Sequence, residues 1–148
     1  MKRAKINVLH VDDSFEAIYL MQNAFEEVDF EHSIYVAQNG DEALNYLRNS
    51  DVYDNEPIPD LILLDINMPV MDGFEFLDNI KSEEKTKHIP VIMFTTSSST
   101  NDVMKSYQKH ANSYIVKPGN LDEYMDVANS IKSFWSNTAS LPKGVEYI

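Results

Sequence analysis

Five short apolar runs punctuate the chain: INVLHV (6–11), HSIYVA (32–37), DLILLDI (60–66), PVIMFTT (90–96) and NSYIVK (112–117). Their lengths and their content of Val, Ile, Thr, Tyr and Phe predict strands. Between them apolar residues recur at helical spacing: Ala17, Leu20, Met21, Ala24 and Val28; then Ala43, Leu44 and Leu47; then Phe74, Leu77 and Ile80; then Val103, Met104 and Tyr107. A fifth helical pattern runs through Leu121, Tyr124, Met125, Ala128, Ile131 and Trp135. Strands that are apolar throughout, rather than alternately, are buried on both faces, and strand–helix alternation puts helices on both sides of a parallel sheet. The pattern therefore predicts a five-stranded, doubly wound α/β domain.

The connections fit that architecture. QNGD (38–41) has the composition of a hairpin turn, but the helical pattern after it makes it a strand-to-helix corner. The longest polar connection, RNSDVYDNEPIPD (48–60), lacks the Asp-x-Asp-x-Asp-Gly spacing of a calcium loop and reads as a surface loop. With 148 residues the chain has room for one full core. Residues 1–136 are expected to form that domain, and 137–148 a short tail with no effector domain. No 18-residue apolar run occurs, and the start MKRAKINVLHVDD reaches acidic residues before a secretory h-region could form, which predicts a cytoplasmic location. The absence of cysteine removes disulfides, thiolate zinc sites and cysteine nucleophiles. Any metal must be held by oxygen or imidazole.

Acidic residues outnumber basic ones 24 to 12, and the bases are scattered, which argues against direct nucleic-acid or membrane binding. Most of the acids read as solvated surface. Those at strand ends differ, because sites in open parallel sheets lie outside the carboxyl ends of the strands. The first strand ends in Asp12 and Asp13, the third in Asp65, the fourth in Thr95 and Thr96, and the fifth in Lys117. The second supplies nothing comparable, which suits an edge position. Singly, each has a plain structural role: Asp13 or Ser14 as a helix cap, Thr95 as a β-branched strand residue, Lys117 as a strand-end cation. Together, four of five strands deliver groups that suit one reaction.

Asp65 narrows that reaction. It interrupts the apolar stretch LILLDINMPVMDG (61–73), where an unpaired buried charge costs several kcal/mol. Two carboxylates about 4 Å apart repel by about 4 kcal/mol at an effective dielectric near 20, and Lys117 alone cannot balance three of them. A hard divalent cation, Mg²⁺ above all, restores the balance and keeps open positions. With Mg²⁺ and Lys117 neutralising phosphoryl oxygens, Asp65 can attack as a carboxylate nucleophile and form an aspartyl phosphate.

HVDDS, LLDINMPVMDG, FTTS and YIVKP stand in the order and spacing of bacterial response-regulator receiver domains, of which the chemotaxis receiver is the familiar example. The resemblance covers residues 5–135. It implies a flavodoxin-like (βα)5 fold with strand order 2-1-3-4-5. It further implies a stand-alone response regulator in two-component signalling, which accepts a phosphoryl group from a sensor histidine kinase and switches a protein-interaction surface. Such a domain catalyses only its own phosphoryl acceptance and autodephosphorylation. Carried over residue by residue, Asp65 resembles the phospho-acceptor, and Asp12 and Asp13 the acidic pair that joins it in binding Mg²⁺. Asn67 matches the position whose backbone carbonyl is a further metal ligand. Thr95 resembles the switch hydroxyl, Tyr114 the switch aromatic and Lys117 the phosphate-binding lysine. Asn67 and Ser97 match positions that tune phosphoryl lifetime, and Pro118 resembles a cis-proline that aims Lys117. The output surface is expected around the fourth helix, fifth strand and fifth helix.

SDVYDNEPIPDLILLD, ANSYIVKPGNLDEY and SFWSNTASLP extend the resemblance to the single-domain cyanobacterial phytochrome response regulators, which implies a phytochrome-type kinase and a homodimer. Two positions depart from the family: Gly119 stands where many receivers have a bulky aromatic, and Thr96 where a small residue is common. His10, two residues before Asp12, reads as a hydrogen-bonded core histidine. His32, His88 and His110 lack metal-ligand spacing, and most of the seven methionines read as core filler. For Phe134, Trp135 and Leu141, packing on the domain and contact with a partner both stay open.

Three other functions compete. An intermediate phosphorelay carrier would pass the phosphoryl group on to a histidine of another protein, and sequence does not separate it from a terminal regulator. An aspartate-nucleophile phosphatase of the haloacid-dehalogenase type needs an Asp-x-Asp pair on the first strand, whereas here the two are adjacent. A flavin carrier is disfavoured because DDSFE repels phosphate unless a metal intervenes.

Overall fold

The computed structural model describes residues 5–49 and 57–142. In chain order these form β1 (Ile6–Val11), α1 (Phe15–Glu27), β2 (His32–Ala37), α2 (Gly40–Asn49), β3 (Leu61–Leu64), α3 (Gly73–Ser82), β4 (Val91–Thr95), α4 (Thr100–Gln108), β5 (Ser113–Val116) and α5 (Leu121–Ile131). The strands form one parallel sheet in the order β2-β1-β3-β4-β5, with β2 at one edge as expected. The centre of the longest polar connection (50–56), residues 1–4 and the end of the tail (143–148) lie outside the described residues, as do the expectations that fall there.

Successive strand side chains point to opposite faces, so each apolar strand feeds two cores. Leu9, Val11, Ile62 and Leu64 pack with Leu44 and Leu47 of α2 and Phe76, Leu77 and Ile80 of α3. Val8, Leu61, Leu63, Ile92 and Phe94 pack on the other face with Met21 and Phe25 of α1 and Ala128 and Ile131 of α5. Each fully buried side chain of this size contributes roughly 1.5–3 kcal/mol. The central strands are thereby fixed from both sides, which fixes where their ends lie.

β1 and β2 match their apolar runs, whereas β3, β4 and β5 are shorter than theirs. β3 stops at Leu64, so Asp65 and Ile66 are outside the ladder although Asp65 N–H still donates to Val11 O (2.9 Å). The last helix is longer than expected: Lys132–Thr138 continues it as a π-helical segment. Lys132 Nζ donates to Val28 O (2.7 Å) at the end of α1. Trp135 and Leu141 pack against the α1/α5 core, while Phe134 is half exposed, edge-on to Trp135. For Trp135 and Leu141, packing on the domain is the arrangement adopted.

The loop from β3 to α3 carries the chain away from Asp65 under tight constraint. Gly73 N–H donates to Ile66 O (2.8 Å), Gly40 N–H donates to Met71 O (3.0 Å), and Asp72 caps α3 by accepting from Glu75 N–H. Met71 N–H donates to Pro69 O (2.8 Å) across Val70, whose φ is 69°. That is a γ-turn of the rare, strained hand, occupied by a β-branched residue that is 81% exposed. A Cβ on Gly73 would meet Asp65 O at 2.1 Å. The two positions predict opposite effects in urea denaturation. Val70→Gly should raise stability by about 1 kcal/mol, the left-handed penalty less the added chain entropy. Gly73→Ala should lower it by more than about 2 kcal/mol.

Candidate functional site

β1, β3, β4 and β5 end side by side, and each delivers its predicted group to one rim. Asp12 N–H donates to Ala37 O, Asp65 N–H to Val11 O and Lys117 N–H to Thr95 O, so the backbone ladder itself spaces the side chains. Asp12, Thr95 and Asp65 are buried, Asp65 with 7% of its surface exposed, and Asp13 is exposed beside them. Carboxylate oxygens of Asp12, Asp13 and Asp65 all lie within 4.8 Å of one another. The Lys117 ammonium bridges two of them, 2.9 Å from Asp12 Oδ2 and 3.1 Å from Asp65 Oδ2. The second oxygens accept from backbone: Asp12 Oδ1 from Ser14 N–H (2.9 Å) and Asp65 Oδ1 from Ile66 N–H (2.8 Å). Ser14 in turn caps α1 through Ala17 N–H.

These surroundings push the two buried acids apart. Burial raises the Asp65 pKa, the nearby Asp12 charge raises it further, and hydrogen bonds from Thr95 and Lys117 only partly oppose this. Burial also acts to raise Asp12, but His10, Lys117 and the Ser14 N–H outweigh it and hold Asp12 below the ordinary carboxylate range. Burial acts to lower Lys117, and the two carboxylates more than reverse that. One ammonium thus faces two buried acids and a third at the surface. Asp12 Oδ2 is fully buried without a well-aligned hydrogen-bond donor. A hard cation with oxygen ligands fits this donor set, because it replaces the missing positive charge and the missing donor together.

The remaining expected residues surround this cluster. Tyr114 on β5 donates its hydroxyl to Ser97 O (2.8 Å), and Ser97 N–H reaches Thr95 Oγ1 (3.4 Å). Asn67 is exposed two residues beyond Asp65, and Thr96 is exposed at the end of β4. Gly119 faces open space, with nothing among the described residues within 4 Å of where a Cβ would stand, and its N–H donates to Glu123 Oε2 (3.3 Å). Pro118 is corrected: no peptide bond among the described residues is cis, so Lys117–Pro118 is trans. Trans is the lower-energy isomer even before proline, and Lys117, anchored by its own N–H on Thr95 O, reaches both acids from it. His10 is also corrected in part. It is fully buried against Phe94, yet neither ring nitrogen has a hydrogen-bond partner, and Nε2 stands 3.5 Å from Asp12 Oδ2.

Two contributors were not anticipated. Gly73 protects the backbone under Asp65; its signal was the Asp-Gly pair directly after the loop, since a cap residue followed by glycine marks a close approach. Asp102 bonds the Ser97 hydroxyl (2.6 Å); its signal was Ser-Thr-Asn-Asp at 99–102, a helix-start pattern.

Over residues 8–129 the sequence matches the response regulator receiver domain family. The chain belongs to that family. It is 38% identical over 135 residues to response regulator Rcp1 of Synechocystis sp., covering 91% of this chain and 92% of that protein. The crystal structure of the phosphorylated cyanobacterial phytochrome response regulator RcpA superposes with a TM-score of 0.86 at 39% identity, over 95% of this chain and all of that one. The Mn²⁺-bound form of Rcp1 gives a TM-score of 0.82 at 37% identity, over 93% and 99%. The receiver is therefore a phosphoryl-accepting domain of two-component signalling, with the flavodoxin-like fold expected and an acidic cluster of the kind receivers use for metal.

The divergent shifts carry opposite signs for folding. A carboxyl with a raised folded pKa is a destabilising charge at neutral pH, a penalty that disappears as pH falls below its unfolded value. One with a lowered folded pKa contributes stability above its unfolded value and loses it as pH falls through the folded one. At pH 7 without divalent metal, Asp65→Asn should stabilise the receiver and Asp12→Asn destabilise it. Denaturation midpoints at neutral pH and across the carboxylate range check both, and the Asp65→Asn gain should fade on acidification.

Proposed function

We propose that Asp65 is the residue phosphorylated by the sensor histidine kinase, with Mg²⁺ held by Asp12, Asp13, Asp65 and the Asn67 backbone carbonyl. The observation that carries this is the position of Asp65, nearly buried between Lys117 and Thr95 yet open to the rim. One carboxylate oxygen attacks phosphorus, the bond from phosphorus to the donor imidazole breaks, and the imidazole leaves with its electron pair. Mg²⁺, when bound, supplies charge for the phosphoryl oxygens. Lys117 exchanges its contact with the Asp65 carboxylate for a phosphoryl oxygen, and the Thr95 hydroxyl donates to another. Tyr114 and Ser97 follow Thr95, and Asn67 and Ser97 flank the path of attacking water. Beyond its own phosphorylation and dephosphorylation the domain catalyses nothing.

The similarity to RcpA, which is named as a phytochrome response regulator, supports a phytochrome-type kinase as donor. Met104 and Tyr107 on α4, Val116 on β5 and Leu121 on α5 are exposed apolar residues, which supports this face as the output surface and as a homodimer contact. The receiver works in the cytoplasm.

With acetyl phosphate and Mg²⁺ the protein should take up one phosphoryl group, chelation of the metal should abolish uptake, and Asp65→Asn should remain unlabelled. Robust labelling of that variant at another residue overturns the assignment. Turnover of small phosphate esters would point instead to a phosphatase. Transfer from light-switched and other histidine kinases, followed in time, identifies the donor and shows whether the phosphoryl group moves on to a second histidine.

A further inference from the structure

Outside the carboxylate cluster, Ser97 has the most fully committed polar atoms on the rim. Its N–H donates to Thr95 Oγ1 (3.4 Å), its carbonyl accepts the Tyr114 hydroxyl (2.8 Å), and its Oγ accepts Ser99 N–H (3.3 Å). The hydroxyl proton goes to Asp102 Oδ2 at 2.6 Å, a charge-assisted bond. Asp102 N–H donates to Ser99 Oγ (3.3 Å), the cap of α4. In an ordinary capping box the acid three residues into the helix returns to the N–H of the cap. Here that return runs through an inserted hydroxyl, from Ser99 N–H to Ser97 Oγ to Asp102.

The insertion ties a helix to the site. With its rotor fixed by Asp102, Ser97 presents its carbonyl to Tyr114 and its N–H to Thr95, which ends the strand beside that of Asp65. Only Ser106 of α4 is fully buried, and the helix is otherwise tied by polar contacts farther along, Lys109 to Asp78 (2.8 Å) and Lys105 over the Phe74 ring (4.4 Å). We propose that Asp102 is a positioning residue for the phosphorylation switch: through Ser97 it holds Thr95 and Tyr114 in the arrangement that receives the phosphoryl group. The inference rests on the assignment of Asp65 and adds the residue that presets its switch.

The test titrates beryllofluoride, a phosphoryl analogue, with Mg²⁺ into the full chain and follows binding and the Tyr114 ring resonances by NMR. Asp102→Ala should weaken beryllofluoride binding by roughly three- to tenfold, the range of one net hydrogen bond, and shift the Tyr114 signals of the free protein. Asp102→Asn keeps an acceptor oxygen and loses only the charge, so it should bind within about twofold of the parent chain. Ser97→Ala should match Asp102→Ala, and the double variant should be no weaker than either single one. Unchanged binding in Asp102→Ala, equal weakening in Asp102→Asn, or additive losses in the double variant each overturn the proposal; the second would make Asp102 a helix-dipole residue only. If Asp102→Ala does not fold, Ser97→Ala decides: weakened binding with shifted Tyr114 signals supports the proposal, and unchanged binding overturns it. Failure of the parent chain to bind beryllofluoride removes the Asp65 assignment itself.

Discussion

The Lys117 ammonium, bridging two buried carboxylates just past the ends of neighbouring strands, is the interaction on which the rest of the rim depends. Parallel strands about 4.8 Å apart force Asp12 and Asp65 into repulsion wherever both are ionised. A single cation shared between them lowers the cost without removing it, and the residue of that cost appears as opposite pKa shifts in the two acids. Such a cluster is a poor stabiliser of the fold, since breaking even on buried ion pairs requires every charge to be matched. Its use lies in the mismatch. A site short of positive charge suits a hard cation, whose charge would offset the repulsion between these acids and an anionic group.

A charge change at Asp65 has a short physical route outward. Thr95 ends the strand beside that of Asp65, Thr95 Oγ1 accepts the Ser97 N–H, and the Ser97 carbonyl accepts the Tyr114 hydroxyl. The last two links are directed hydrogen bonds, so movement of one group changes the bonding of the next. β4 lies buried between β3 and β5, whereas most of the β4–α4 loop after it is exposed.

Most of this was legible in the chain because its signals are of the strongest kinds. Unbroken apolar strands and a 3.6-residue period decide a doubly wound sheet, and that sheet decides which residues share a rim, so Asp12, Asp13, Asp65, Thr95 and Lys117 could be placed before any coordinates. The failures concern quantities that pattern does not carry. Isomer choice at Pro118 turns on a preference of about 0.5–1 kcal/mol for trans, too small for a sequence pattern to decide. The missing hydrogen bonds of His10 follow from which groups its neighbours leave free, a property of the finished core. Gly73 and Asp102 matter through contacts with backbone and side chains of other segments, Asp65 O and Ser97 Oγ, visible only when the loops are in place.

The helices are packed unevenly on the sheet. α2 and α3 bury Leu44, Leu47, Phe76, Leu77 and Ile80 against the sheet, and α1 and α5 bury Met21, Phe25, Ala128 and Ile131. α4 buries one serine fully and exposes Met104 and Tyr107, so little apolar free energy opposes its displacement. Elements that move in switching come from the weakly packed end of a structure, because a small bias must be able to shift them. The same weakness leaves Met104 and Tyr107 on α4 and Val116 on β5 uncovered. A helix held mainly by hydrogen bonds and ion pairs answers to charge, whereas one held by a buried leucine stripe would not.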